Sequence, residues 1–223
     1  MRKFTPTLVR IISFALPLLS WVWMFNQQLS PLLNLLCIIA GLLAVFPVVW
    51  IGRKVLDLDP TLDRTISITT VVHMILMIFF GVAIIKAVQT GPNWGGWVIP
   101  IPNSISIVLI TVTGVATLMT VVNLALRGLG APFAIALSRR VATDLMYTWT
   151  RNPMVFSILA CLVSVGLWFQ STLFVVWVFL LVTPAWVVFL KVFEERELEI
   201  RFGETYLEYK ARTPFLWPKK PKG

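Results

Sequence analysis

The stretch TLFVVWVFLLVTPAWVVFLKVFEERELEIRFGETYLEYK, residues 172–210, decides the fold. Residues 172–192 carry a single charge, Lys191, and then Glu194 and Glu195 stand side by side. An apolar run that breaks off into paired carboxylates marks a helix leaving an apolar medium for water. The rest of the chain fits that reading. Its 223 residues are 58% hydrophobic and only 13% charged, with a mean hydropathy of +0.86. A water-soluble domain has about 25% charged residues. The sequence therefore describes an integral membrane protein, with little room for a separate soluble domain.

Working outward, six apolar runs appear, at about 8–25, 32–51, 66–88, 105–126, 154–169 and 172–192. The first four are expected to be long enough, as helices, for a hydrocarbon core of roughly 30 Å. The fifth is short. It meets the sixth through Gln170 and Ser171, which predicts a tight helical hairpin. The fold class expected is all-α: a polytopic bundle of about six helices, followed by a cytoplasmic amphipathic helix. Two regions follow, a four-span part over 1–126 and a more polar part over 127–223.

Charge sets the expected orientation. With six spans and the N-terminus inside, Lys86 alone lies outside, and the other 18 of the 19 Lys and Arg lie inside. Both termini and any site are then cytoplasmic. MRKFTPTLVR before the first run looks like a signal peptide but lacks a small-residue cleavage site, so a retained first span is expected. The loop GPNWGGWVIPIPN, 91–103, suits an interfacial turn. The net charge of +9 needs no nucleic acid, because basic cytoplasmic loops account for it. Cys37 and Cys161 both lie inside apolar runs and read as small buried residues, not as a disulfide or zinc pattern.

Several groups can carry chemistry. Asn152 followed by Pro153 reads as a helix start, with Asn as N-cap and Pro in the first turn. A functional reading sits on top of that one: free N–H groups at a helix start attract anions, and Arg151 adds positive charge. In the opening stretch Leu198, Phe202, Tyr206 and Tyr209 step by four, four and three, forming one apolar helix face. Glu194 and Glu195 fall near that face and need partners there, from Arg151 or a cationic ligand. Arg196, Glu197, Arg201 and Glu208 are expected to point to water, and Gly203 to bend or end the first part of the helix. A membrane-surface helix with ordinary charges is the plainer alternative.

GLGAPF at 128–133 reads as a loop, since no strand precedes it. His73, in the middle of the third run, is either a functional group or a neutral residue hydrogen-bonded to a neighbouring helix; the latter is favoured. Asp57, Asp59 and Asp63 alternate with Arg53, Lys54 and Arg64, which favours a solvated loop over a metal site.

Together these segments resemble the isoprenylcysteine carboxyl methyltransferase and phospholipid methyltransferase family of membrane enzymes. Gly128, Gly130 and Pro132 match its G-x-G-T-P-x-P element. Tyr147, Arg151, Asn152 and Pro153 match its Tyr and R-(H/N)-P element. Glu194, Glu195, Leu198, Phe202, Gly203, Tyr206, Tyr209 and Pro214 match E-E-x-x-L-x-x-x-F-G-x-x-Y-x-x-Y and the late Pro. The resemblance spans about 127–218.

The resemblance implies S-adenosylmethionine as methyl donor, with a lipid-like acceptor: an isoprenylcysteine carboxylate, another lipid or a thiol. It implies cofactor contacts from Tyr147, Arg151, Asn152, Pro153, Glu194, Glu195, Leu198, Phe202, Tyr206 and Tyr209, with Arg151 and Glu195 as the catalytic pair. The helix start suits the donor's carboxylate, and glutamates and aromatic faces suit its hydroxyls, ammonium and sulfonium. No metal is implied.

Four positions depart from the family pattern: Ala131 and Ala134 in the first element, then Val155 for a Tyr and Ser157 for a Gly. Asn152 in place of His also removes a possible general base, which an ammonium acceptor needs and a carboxylate or thiolate does not. Two other classes stay open. One is an NADPH-dependent reductase of the sterol-reductase type, against which the Glu-Glu pair and R-N-P argue. The other is a degenerate, non-catalytic lipid-binding member, which Val155 and Ser157 motivate.

Overall fold

The computed structural model describes residues 7–128 and 140–220, with side chains over 11–126 and 140–220. Among the described residues the chain is all-α, with no sheet and one isolated bridge between Val98 and Ser171. Seven helices follow in order: α1 Thr7–Asn26, α2 Pro31–Leu58, α3 Leu62–Asn93, α4 Asn103–Leu126, α5 Pro153–Trp168, α6 Thr172–Phe202 and α7 Glu204–Arg212. Four of them, α2, α3, α4 and α6, are long and apolar enough to cross a membrane. Of the runs expected to span, the second to fourth qualify, and so does the sixth, which continues ten residues past its expected end. The first forms the 20-residue α1, only part of which lies among the residues described with side chains. The extension arises because the 195–202 segment keeps helical backbone after the hydropathy has fallen.

The chain divides into two compact units, neither of them continuous in sequence. Among the described residues, the first unit holds 7–87 and 185–203. Its helices approach closely where side chains are small: a Cβ on Gly52 would meet Val72 at 2.9 Å and Phe193 at 3.0 Å. Phe80 stacks on Trp186 at 4.5 Å, and Trp21 Nε1 donates to the Met77 carbonyl at 2.8 Å. Arg53 donates to the Val192 carbonyl at 3.1 Å, tying α2 to the second part of α6.

Among the described residues, the second unit holds 88–128, 140–184 and 204–220. The expected hairpin is there. Gln170 takes a positive φ of 54°, and the Ser171 hydroxyl caps α6 by accepting from the Phe174 N–H at 3.2 Å. Gly166 lets the two legs close, since a Cβ there would lie 2.9 Å from Phe174 and Val175. The Trp-rich loop folds over the hairpin tip: Ile99 N–H donates to the Gln170 carbonyl at 3.2 Å and Gln170 Nε2 to the Ile101 carbonyl at 3.1 Å. α4 packs along α5 in the same unit.

Candidate functional site

The residues singled out from the sequence fall into two groups, one in each unit. In the second unit, Tyr147 lies on a short turn over Leu145–Thr148, and Pro153 opens α5. Asn152 stands at the cap position, yet its side chain makes no capping bond. The expected positions of Asn152 at the N-cap and Pro153 in the first turn hold, but the side-chain capping bond does not form. The Asn152 amide Nδ2 donates instead to the Phe215 carbonyl at 2.8 Å, 63 residues further along the chain. Thr150 Oγ1 donates to the same carbonyl at 3.1 Å. Arg151 N–H donates to the Pro214 carbonyl at 2.9 Å, and Lys219 N–H to the Trp149 carbonyl at 3.0 Å. The Arg151 guanidinium carbon sits 5.7 Å from the centre of the Phe215 ring, within cation–π range.

The same unit holds the two tyrosines of α7. Both are 3% exposed. The Tyr209 hydroxyl donates to the Tyr147 carbonyl at 2.8 Å, and its burial holds the phenol well above the usual tyrosine range. Tyr209 therefore stays protonated and acts as a donor at any physiological pH. Val155 and Ser157 are buried at 3% and 5% exposure, and the Ser157 hydroxyl turns back onto the Met154 carbonyl at 2.9 Å. In the first turn of α5 Pro153 has no N–H and the Phe156 N–H donates to the Asn152 carbonyl at 3.0 Å, which leaves the N–H groups of Met154 and Val155 with no capping bond from the Asn152 side chain.

In the first unit, Glu194 and Glu195 are half-buried, as are Leu198 and Phe202. Glu197 and Arg201 were expected to face water. Glu197 is 2% exposed, and its carboxylate accepts from Arg201 Nη1 at 2.5 Å, with the Arg201 side chain 7% exposed. The Arg201 guanidinium also lies 4.8 Å from the centre of the Phe202 ring. The i,i+4 spacing of Glu197 and Arg201 is a sequence signal for this pair. Burial of its face was not legible, because Leu198 and Phe202, one position after each partner, mark the apolar face, and tertiary packing decides which other face is covered. Gly203 breaks the helix with φ 53° and ψ −132°, and α7 begins afresh at Glu204. Leu198 and Phe202 therefore belong to α6, and Tyr206 and Tyr209 to α7, each pair within its own unit.

The remaining groups have structural partners. His73 Nδ1 lies 2.9 Å from the Thr69 carbonyl in its own helix, not a neighbouring one, and the ring meets Phe189 edge-on at 5.2 Å. Asp57 is shared between Arg53 and Arg196, and Asp59 pairs with Arg64 at 3.1 Å. Gly130 and Pro132 of the first motif lie outside the described residues.

Fold and chemistry together define a polytopic helical membrane protein whose polar, motif-bearing segments cluster in its C-terminal half. Comparison with protein families is more specific: residues 102–205, a little under half of the chain, match the family model described as phospholipid methyltransferase. Over those residues the chain is similar to the phospholipid methyltransferase domain, which falls within the clan of membrane methyltransferases that the motifs resemble. No curated protein and no solved structure matches the chain.

The donor that this family uses is S-adenosylmethionine. The side chains present suit it. The Asn152 amide bonds to Phe215 instead of capping, which leaves the start of α5 open to a carboxylate.

Proposed function

We propose that the protein is an integral membrane methyltransferase that takes its methyl group from S-adenosylmethionine and passes it to a lipid-like or hydrophobic acceptor at the cytoplasmic face. The family match over 102–205, which takes in both R-N-P and the Glu-Glu pair, carries this reading. In it, Arg151 and the helix start at Asn152 and Pro153 receive the donor's carboxylate. Glu194 and Glu195 take its ammonium and ribose hydroxyls. Tyr147, Leu198, Phe202, Tyr206 and Tyr209 supply aromatic and apolar surface. When bound, the donor supplies an electrophilic methyl group for in-line displacement, so the protein's part is positioning and electrostatics. With no His at position 152, an acceptor already anionic, such as a carboxylate or thiolate, suits the chain better than an ammonium.

Binding of labelled S-adenosylmethionine to the purified protein tests the reading. Arg151→Ala and Glu195→Gln are each expected to weaken binding by about tenfold or more, the effect of removing a charged hydrogen-bond partner. No binding, or binding unchanged in both variants, sinks it. NADPH in the same titration separates the reductase class. Buried Val155, which puts no hydroxyl on the first turn of α5, favours a second reading, a lipid-binding member without turnover. A methyl-transfer screen over membrane extracts, with products identified by mass, eliminates that reading if any acceptor is methylated.

A further inference from the structure

We propose that segment 213–219 is a strap that positions the Arg151, Asn152 and Pro153 helix start for its anionic ligand, with Thr150 and Phe215 as the positioning residues. The inference rests on the cofactor reading above and goes beyond it, because neither residue belongs to the motif set. Four hydrogen bonds join the strap to residues 149–152: Arg151 N–H to Pro214, Thr150 Oγ1 and Asn152 Nδ2 to Phe215, and Lys219 N–H to Trp149. Thr150 works twice, since its hydroxyl also accepts from the Asn152 N–H at 3.3 Å. It is 2% exposed, and Thr213, where the strap leaves α7, is 7% exposed.

The chemical consequence lies in what Asn152 does not do. An Asn at the cap position ordinarily turns its side-chain oxygen onto the N–H groups of the first turn. A carboxylate ligand would have to displace it. Here the Phe215 carbonyl draws the amide of Asn152 away, and the N-terminus of α5 keeps its donors for a ligand. The Phe215 ring beside the guanidinium then limits the rotamers of Arg151, lowering the ordering cost of ligand binding. A bare packing contact would stabilise the unit without favouring one end of a ligand over another; the strap favours the carboxylate end.

The test compares three ligands on full-length protein in nanodiscs: S-adenosylmethionine, S-adenosylhomocysteine, and methylthioadenosine, which lacks the amino-acid end. Thr150→Val and Phe215→Ala are expected to weaken the first two about tenfold and the third less than about twofold. Thr150→Ser, which keeps the hydroxyl, restores wild-type affinity. Hydrogen exchange at the Arg151 and Lys219 amides gives a readout free of ligand: slow in wild type, faster in Thr150→Val. Equal weakening of all three ligands overturns the proposal in favour of plain packing. So does unchanged affinity for all three, or unchanged exchange at both amides. Wild-type protein that binds none of the three overturns the cofactor reading itself, and the strap's role with it.

Discussion

The two polar segments of the C-terminal half are held in opposite ways. In residues 194–201 the buried pair is organised locally: Glu197 and Arg201 bond within one helix, and Gly203 ends that helix, while Arg196 reaches Asp57 by a charged side chain. Residues 147–153 are organised from a distance, by carbonyls of Pro214 and Phe215 that lie more than 60 residues away. One segment depends on side-chain charge and the other on main-chain hydrogen bonds. A substitution should therefore hurt the first by stranding a charge, and the second by releasing a strap.

The sharpest way to break the comparison is Glu197→Ala. It leaves the buried Arg201 guanidinium without that carboxylate, and a loss of about 3–5 kcal/mol is expected. Thermal unfolding in detergent reads it. Replacing both members, Glu197→Gln with Arg201→Met, should recover most of the loss, because neither charge is then left buried. A silent single variant would mean that the pair does not hold this segment.

A smaller effect is expected from Gly203→Ala. At φ 53° and ψ −132° an L side chain is strained, at about 1–3 kcal/mol. No other heavy atom lies within 4 Å of a Cβ built there, so crowding does not add to the strain. A stability equal to wild type would show that the break between α6 and α7 does not require the glycine. The smallest effect belongs to Asp59→Ala. Its pair with Arg64 leaves both side chains over 40% exposed, and less than about 1 kcal/mol is expected. A larger loss would mean that exposed pairs matter here as much as the buried one.

Legibility in the sequence follows the same division. The hairpin through Gln170 and Ser171, the helix start at Pro153 and the break at Gly203 are local events, each signalled by residues within a turn or two of the place they shape. The family motifs were legible for a related reason, since each is a short run with fixed spacing. Burial of Glu197 was not legible because Leu198 and Phe202 mark the apolar face, and tertiary packing covers Glu197 as well. The side-chain partner of Asn152 was not legible because it is a backbone carbonyl, and a carbonyl has no signature in the sequence.

By itself, then, the sequence determined the all-α membrane class, the hairpin and the helix start. Those follow from hydropathy, turn chemistry and spacing, all of which act between near neighbours. Only the tertiary structure decided that Glu197 and Arg201 are buried together, that the Tyr209 hydroxyl reaches Tyr147, and that Asn152 gives up its cap for Phe215. Each of these depends on where a distant segment comes to rest. Main-chain acceptors are present at every residue, so folding alone selects which of them a side chain meets.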